Sequence, residues 1–322
     1  MSIETIRVPI EQDMRAVDDV IRRHLHSDVV LIRQVAEYII NSGGKRLRPA
    51  LVLLSAHAFG YAGNRHHELA AVVEFIHTAT LLHDDVVDES DLRRGHETAN
   101  ALFGNAASVL VGDFLYSRAF QMMVDVGEMR VMQTLADATN VIAEGEVLQL
   151  LNCHDASVDV TNYMRVIHCK TAKLFEAAMR LGAILGKTSA ANEAAASTYG
   201  MHLGTAFQLI DDVLDYSADE AQTGKHLGDD LAEGKPTLPL IYAMQHGTPE
   251  QAAVVRGAIE HGDVGKFAAV LEIIHVSGAL EFTRQQALRE AEAACVALTV
   301  LPDTNYKQSL LQLAHFAATR QF

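Results

Sequence analysis

Two aspartate triplets carry the strongest chemical signal in the chain. They are Asp84, Asp85 and Asp88, and Asp211, Asp212 and Asp215, each spaced Asp-Asp-x-x-Asp at the end of an apolar run. On a helix, Asp84 and Asp88 share one face, and so do Asp211 and Asp215, because residues four apart are surface neighbours. Like charges at that spacing cost roughly 0.2–0.5 kcal/mol on an isolated helix. Carboxylates at a helix C-terminus also oppose the macrodipole, which favours cations there. A hard divalent cation offsets both penalties, and an all-oxygen ligand set suits Mg²⁺. Magnesium keeps several waters and bridges a few carboxylates to substrate phosphates. One such triplet reads equally well as a solvated acidic helix end. Two of them, each with cationic residues downstream, weigh against that reading.

The cationic residues fall where a phosphate would need them. Arg93, Arg94 and Gly95 follow the first triplet, and Gly224-Lys225 and Gly234-Lys235 follow the second. Upstream, Gly43, Gly44, Lys45, Arg46, Leu47 and Arg48 open a helix, where free N–H groups favour phosphate. The Walker spacing is absent, so this is not a P-loop. Alone, such a stretch is an ordinary turn with solvated charges. Beside carboxylate clusters in an acidic chain it reads as part of a metal–diphosphate site.

Helices must position these groups. The chain has 322 residues, 49% of them hydrophobic, and none of its six prolines lies between Pro49 and Pro236. That proline-free stretch is rich in Ala, Leu, Val and Glu, which suits helices. Strand-like alternation and hairpin turn signals are weak. The expectation is an all-α protein with helices over 11–24, 28–42, 66–87, 106–126, 129–152, 160–186 and 190–218. A polar loop over 219–235 follows, and then four shorter helices broken near Gly247, Gly262, Gly278 and Pro302. No low-complexity linker divides the chain, so residues 1–322 read as one domain. Below Asp84, the residues Thr80, His77 and Val73 fall nearly in line on the helix. Such a face suits a hydrophobic tunnel or ordinary helix packing.

Composition narrows the function classes. The formal charge of −15 argues against a broad nucleic-acid surface. Cys153, Cys169 and Cys295 make neither a disulfide framework nor a zinc site. The opening MSIETIRVPI lacks signal-peptide features, and no apolar run reaches membrane-spanning length. A cytoplasmic location is the expectation. His66, His67, His96 and His154 read most simply as surface histidines.

In these motifs the chain resembles the trans-isoprenyl diphosphate synthases, and among them the bacterial long-chain polyprenyl synthases of the octaprenyl type. The motifs are Gly43–Pro49, Phe75–Asp88, Arg93–Gly95, Lys170-Thr171, Phe207–Asp212, Gly224-Lys225, Gly228–Asp230 and Gly234–Thr237, in family order. The resemblance implies an isoprenoid synthase-type helical bundle around a deep central cavity, in a homodimer. It implies Asp84, Asp88 and Asp211 as direct ligands of about three Mg²⁺ ions, assisted by Asp85, Asp212, Asp215 and Asp229. It gives Arg93, Lys170, Lys225 and Lys235 to the allylic diphosphate, and Lys45, Arg48, His77 and Arg94 to isopentenyl diphosphate. Thr171 and Gln208 would sit beside the reacting carbon. In the family, a bulky aromatic four or five residues before the first triplet stops chain growth. Here those positions are Thr80 and Ala79, so the cavity should stay open, with Met123 either a floor or equally well ordinary core filler. The implied reaction adds isopentenyl diphosphate to farnesyl diphosphate. The expected product is an all-trans polyprenyl diphosphate of about eight units (C40) for a quinone side chain. Three rivals are a metal-dependent phosphohydrolase, a non-catalytic partner subunit and a head-to-head condensing or cyclising relative. The first leaves the second triplet and Lys170-Thr171 unexplained, the second tends to lose the triplets, and the third usually departs from the double pattern.

Overall fold

The computed structural model describes residues 2–41, 43–93, 95–217 and 227–321. Arg94, Lys225 and residues 219–226 of the expected 219–235 loop lie outside them. The described chain is helical throughout, save one antiparallel pair of two-residue strands, β1 (Leu92–Arg93) and β2 (His96–Glu97), directly after the first aspartate triplet.

The helices follow the apolar pattern and its breaks. They are α1 (Ile3–Arg7), α2 (Glu11–His24), α3 (Val30–Asn41), α4 (Leu47–Ala58), α5 (Arg65–Val87), α6 (Ala99–Phe103), α7 (Asn105–Val126) and α8 (Met129–Asn152). Then come α9 (Val160–Ile167), α10 (Lys173–Leu185), α11 (Ala190–Ser217), α12 (Asp229–Ala232), α13 (Leu238–His246), α14 (Pro249–His261), α15 (Phe267–Ser277), α16 (Ala279–Ala297) and α17 (Asn305–Thr319). Two expectations need correction. The helix expected over 160–186 is interrupted by a π turn at His168–Ala172, and residues beyond Pro236 form five helices rather than four. The breaks near Gly247, Gly262, Gly278 and Pro302 stand. They delimit five segments because each ends a helix: Gly262 and Gly278 adopt left-handed φ of 58° and 72°. Thr248 opens α14 with a capping box, its hydroxyl accepting from the Gln251 N–H while the Gln251 amide oxygen accepts from the Thr248 N–H.

α4 is apolar nearly all round and is buried on almost every side, as such a helix must be. It packs against α5 and α10. α5 also packs on α7, and α10 on α11. Their side chains form the main core, which includes Phe75, Phe175, Tyr199 and Leu209. A second cluster lies around Leu231, Leu240, Ile259 and Ile274, and α11 reaches it through Val213 and Tyr216. Close helix approach depends on small residues. A Cβ on Gly200 would lie 2.5 Å from the carbonyl oxygen of Phe175, so α10 and α11 meet backbone to backbone there. None of the described helices is long and apolar enough to cross a membrane.

Candidate active site

α5 and α11 bring their last turns to the mouth of one cavity of about 420 Å³. Asp84 and Asp88 line it from α5. Gln208, Asp211, Asp212 and Asp215 line it from α11, with Asp229 from α12. Lys45, Arg48, His77, Thr80, Arg93, Lys170, Thr171 and Lys235 complete the set of expected residues found there. Three expected residues do not line it. Asp85 is wholly buried behind the triplet, and Ala79 and Met123 are buried in the main core. Val73 is buried too, and the cavity face of α5 continues through Glu74 instead.

Lys170, Lys235 and Arg93 are already engaged by carboxylates. Lys170 Nζ donates to Gln149 Oε1 at 2.6 Å and sits 2.5 Å from Glu146 and 3.8 Å from Asp84. Lys235 Nζ donates to Asp88 Oδ2 at 3.0 Å and also pairs with Glu233. Burial opposes the charge on both lysines, but Asp84 and Glu146 around Lys170, and Asp88 and Asp230 around Lys235, outweigh it and raise both pKa values. Arg93 donates through Nε to Asp85 Oδ1 at 2.6 Å. Arg48 Nη1 lies 3.0 Å from His77 Nε2, and its guanidinium rests on the Phe175 ring at 4.5 Å.

A second chain of hydrogen bonds fixes the α11 side. Thr171 Oγ1 donates to Gln208 Oε1 at 3.0 Å, and Gln208 Nε2 donates to Asp212 Oδ1 at 2.8 Å. The Tyr163 hydroxyl holds the other Asp212 oxygen. Lys170 and Thr171 sit in the π turn, which shifts side chains out of α-helical register. α8 supports that turn at Gly145, where a Cβ would fall 2.7 Å from the Lys170 backbone nitrogen.

The electrostatics fit a divalent cation. Burial pushes Asp84 up, Lys170 opposes, and the Asp88 charge adds to the rise. Burial, with Asp230 adding, pushes Asp212 up to about 8, and burial pushes Glu146 up to about 7. Asp85 Oδ2 is buried with no hydrogen-bond partner among the described residues. Carboxylates are thus crowded beyond what their lysines neutralise, and oxygen ligands from α5 and α11 open into one space. That donor set suits Mg²⁺.

Several functional candidates escaped the sequence reading. Glu146, Gln149 and Tyr163 carry no motif that marks them. Arg320, two residues from the end of the chain, donates to Asp211 Oδ1 at 2.5 Å and to the Phe207 carbonyl at 3.0 Å. Its guanidinium lies over the Phe207 ring at 4.0 Å. No spacing links it to residue 211, so only tertiary structure places it there. The surface expectation for the histidines also needs revision. His96 and His154 are exposed, but His67 is half-buried and His66 is 2% exposed, because Asp13, His57 and Tyr61 pack around the start of α5.

Comparison with known proteins agrees with this geometry. Residues 29–274 match the profile of the polyprenyl synthetase family. The chain is 57% identical over 322 residues to the octaprenyl diphosphate synthase of Escherichia coli, covering 99% of each. It is 45% identical to the Rhodobacter capsulatus all-trans-nonaprenyl-diphosphate synthase (geranyl-diphosphate specific), covering 98% of each. Among solved structures it is similar to a Caulobacter crescentus polyprenyl synthase complexed with calcium and isoprenyl diphosphate. The TM-score is 0.97 with 44% identity, over 100% of this chain and 98% of that one.

Proposed function

The chain belongs to the polyprenyl synthetase family, and from that premise we propose that it extends farnesyl diphosphate with isopentenyl diphosphate to an all-trans product near C40, for a quinone side chain. It is a prenyltransferase of the long-chain, octaprenyl type. The observation that carries the reading is that Asp84 and Asp88 of α5 and Asp211, Asp212 and Asp215 of α11 line one cavity, with Lys170 and Lys235 paired to the α5 aspartates.

Asp84 and Asp88 on one side and Asp211 and Asp215 on the other would hold Mg²⁺, on which this family depends, with Asp212 and Asp229 behind them. We read about three ions per site, as the family resemblance implies. When bound, Mg²⁺ neutralises charge on the diphosphate leaving group. The chain's own residues supply the rest. Lys170 and Lys235 exchange carboxylate partners for diphosphate oxygens as the allylic C–O bond breaks, and Arg93 faces the same group. Lys45, Arg48 and His77 hold the second diphosphate and orient its double bond for attack. The Thr171 hydroxyl and Gln208 amide present dipoles to the allylic cation. A new C–C bond forms, and the proton leaves to the departing diphosphate. Arg94 and Lys225 join the two diphosphate sites in this reading.

Product length follows from what lies below the triplets. Thr80 is small and lines the cavity, and Ala79, also small, is buried in the main core. Met123 on α7 is our candidate for a floor met by a growing chain. Met123→Ala should lengthen the products, and an unchanged distribution would overturn that assignment. We also read 1–322 as one domain, because α11 carries side chains into both core clusters. A cytoplasmic homodimer completes the proposal.

The test is a labelled isopentenyl diphosphate assay with farnesyl diphosphate and Mg²⁺, resolving products by length. A ladder ending near eight units, abolished by EDTA and by Asp84→Ala, is expected. A stop at twenty carbons, after one addition, would keep the chemistry and refute the open cavity. No incorporation by folded, metal-loaded protein would point to a partner subunit or a hydrolase.

A further inference from the structure

Far from the cavity, three helices converge on one carboxylate. Asp13 of α2 faces the start of α5, where His66 and His67 both turn their Nε2 atoms toward its Oδ1, at 3.2 and 2.7 Å. His57 of α4 takes the other oxygen, its Nε2 lying 3.0 Å from Asp13 Oδ2. The His66 and His67 rings are 4.0 Å apart, and His57 stacks on Tyr306 of α17 at 4.6 Å. None of these residues lines the catalytic cavity.

We propose that Asp13, His66 and His67 form a second metal site, which binds a zinc-class divalent transition cation and clamps α2 onto α5. One donor atom from each of the three already lies within 4.8 Å of the others. A tetrahedral ion with bonds of about 2.0–2.1 Å spaces its ligand atoms about 3.3 Å apart. The Nε2–Oδ1 distances of 2.7 and 3.2 Å therefore need to open by about 0.6 and 0.1 Å. Two imidazoles and one carboxylate are a borderline-soft set that suits Zn²⁺ far better than Mg²⁺. Water takes the fourth position, since the Asp13 and His67 side chains keep about a fifth of their surface accessible. His57 acts behind the site by holding the second Asp13 oxygen, the position in which metal-ligating carboxylates are usually supported.

The protonation states are compatible with an ion. Binding asks each histidine for a neutral imidazole with Nε2 free. Burial and the neighbouring His67 hold His66 down at about 4, so it is neutral at physiological pH. Its Nδ1 is buried with no hydrogen-bond partner among the described residues, so the tautomer that frees Nε2 carries an unpaired N–H whose cost the metal bond must offset. In the metal-free protein burial resists ionisation of Asp13, but the hydrogen bonds from His67 and His57 outweigh it and lower its pKa; a bound cation would replace the His67 hydrogen bond in stabilising the carboxylate, while the His57 contact to Oδ2 remains.

The test uses the full-length protein, stripped of metal and held in excess Mg²⁺ to occupy the carboxylate cavity, with Co²⁺ as the probe. About one Co²⁺ per chain should bind with the strong visible absorption of a four-coordinate, imidazole-containing site. Zn²⁺ should displace it and raise Tm by about 3 °C or more. The absorption should persist in Asp84→Ala and vanish in His67→Ala. His57→Phe, which keeps the ring on Tyr306, should weaken binding about 10–100-fold. If His67→Ala does not fold, Asp13→Asn decides, since it keeps the side-chain volume and removes the anionic ligand. No such absorption in excess Mg²⁺, or absorption unchanged in His67→Ala or Asp13→Asn, overturns the site.

Discussion

Tyr163→Phe isolates the hydrogen bond that anchors the α11 side of the cavity. The substitution removes one hydroxyl and leaves the ring, so packing is unchanged to first order. Asp212 is 2% exposed, and its two oxygens are held by Tyr163 and Gln208. Without the hydroxyl, Oδ2 is left dry and unpaired. Above about pH 8, where the buried Asp212 is ionised, a hydrogen bond to the charged group contributes about 1.5–3 kcal/mol, so the comparison is made at about pH 9. An unfolding entropy of about 2.1 cal/mol/K per residue, over 322 residues, gives roughly 0.7 kcal/mol/K at the midpoint. The variant should therefore melt about 2–4 °C below the parent in calorimetry. Asp212→Asn and the double variant complete a cycle, and a coupling energy above about 1 kcal/mol assigns the loss to this pair. A Tyr163→Phe midpoint within half a degree of the parent would refute the view that Asp212 depends on this hydroxyl.

Three further outcomes follow from the same structure. Arg93→Ala leaves the Asp85 carboxylate, 0% exposed, without its cation. Urea unfolding should show a loss of about 3–5 kcal/mol, largely recovered by adding Asp85→Asn. Gly145→Ala drives a methyl into the Lys170 backbone, so kcat should fall at least about tenfold in the steady-state assay while circular dichroism stays helical. His202 on α11 has its pKa raised, chiefly by its 2.6 Å contact with Glu290 of α16, while burial opposes. His168 is a further titratable group that faces Glu290, and burial lowers its pKa. A raised histidine pKa stabilises the fold below the unfolded value and loses that stabilisation as pH rises through the folded value. Glu290→Gln should therefore cost more stability at about pH 5.5 than at about pH 8.5, and a pH-independent gap in thermal melts would contradict the pairing.

The aspartate triplets were legible in the sequence because their chemistry is local. Spacing of four on a helix puts carboxylates on one face, and two such faces with cations downstream imply a shared anionic ligand. The helices were legible for the same reason: apolar periodicity and the absence of proline from 50 to 235 are properties of neighbouring residues. Their breaks at Gly262 and Gly278 were visible because left-handed caps select glycine. The π turn at His168–Ala172 was not visible, since its register depends on α8 pressing against it at Gly145.

Contacts between distant segments were decided only by the fold. Asp85 belongs to the triplet by sequence, yet the end of α5 turns it inward onto Arg93 and away from the cavity. Arg320 reaches Asp211 because α17 ends beside α11, across more than a hundred residues that carry no record of the meeting. His66 and His67 follow a turn-rich stretch and read as surface residues. α2 and α4 close over them and supply the one carboxylate that both imidazoles face. Spacing along a helix determines which groups share a face. Only packing determines what that face meets, because burial and pairing are set by the other side of the interface.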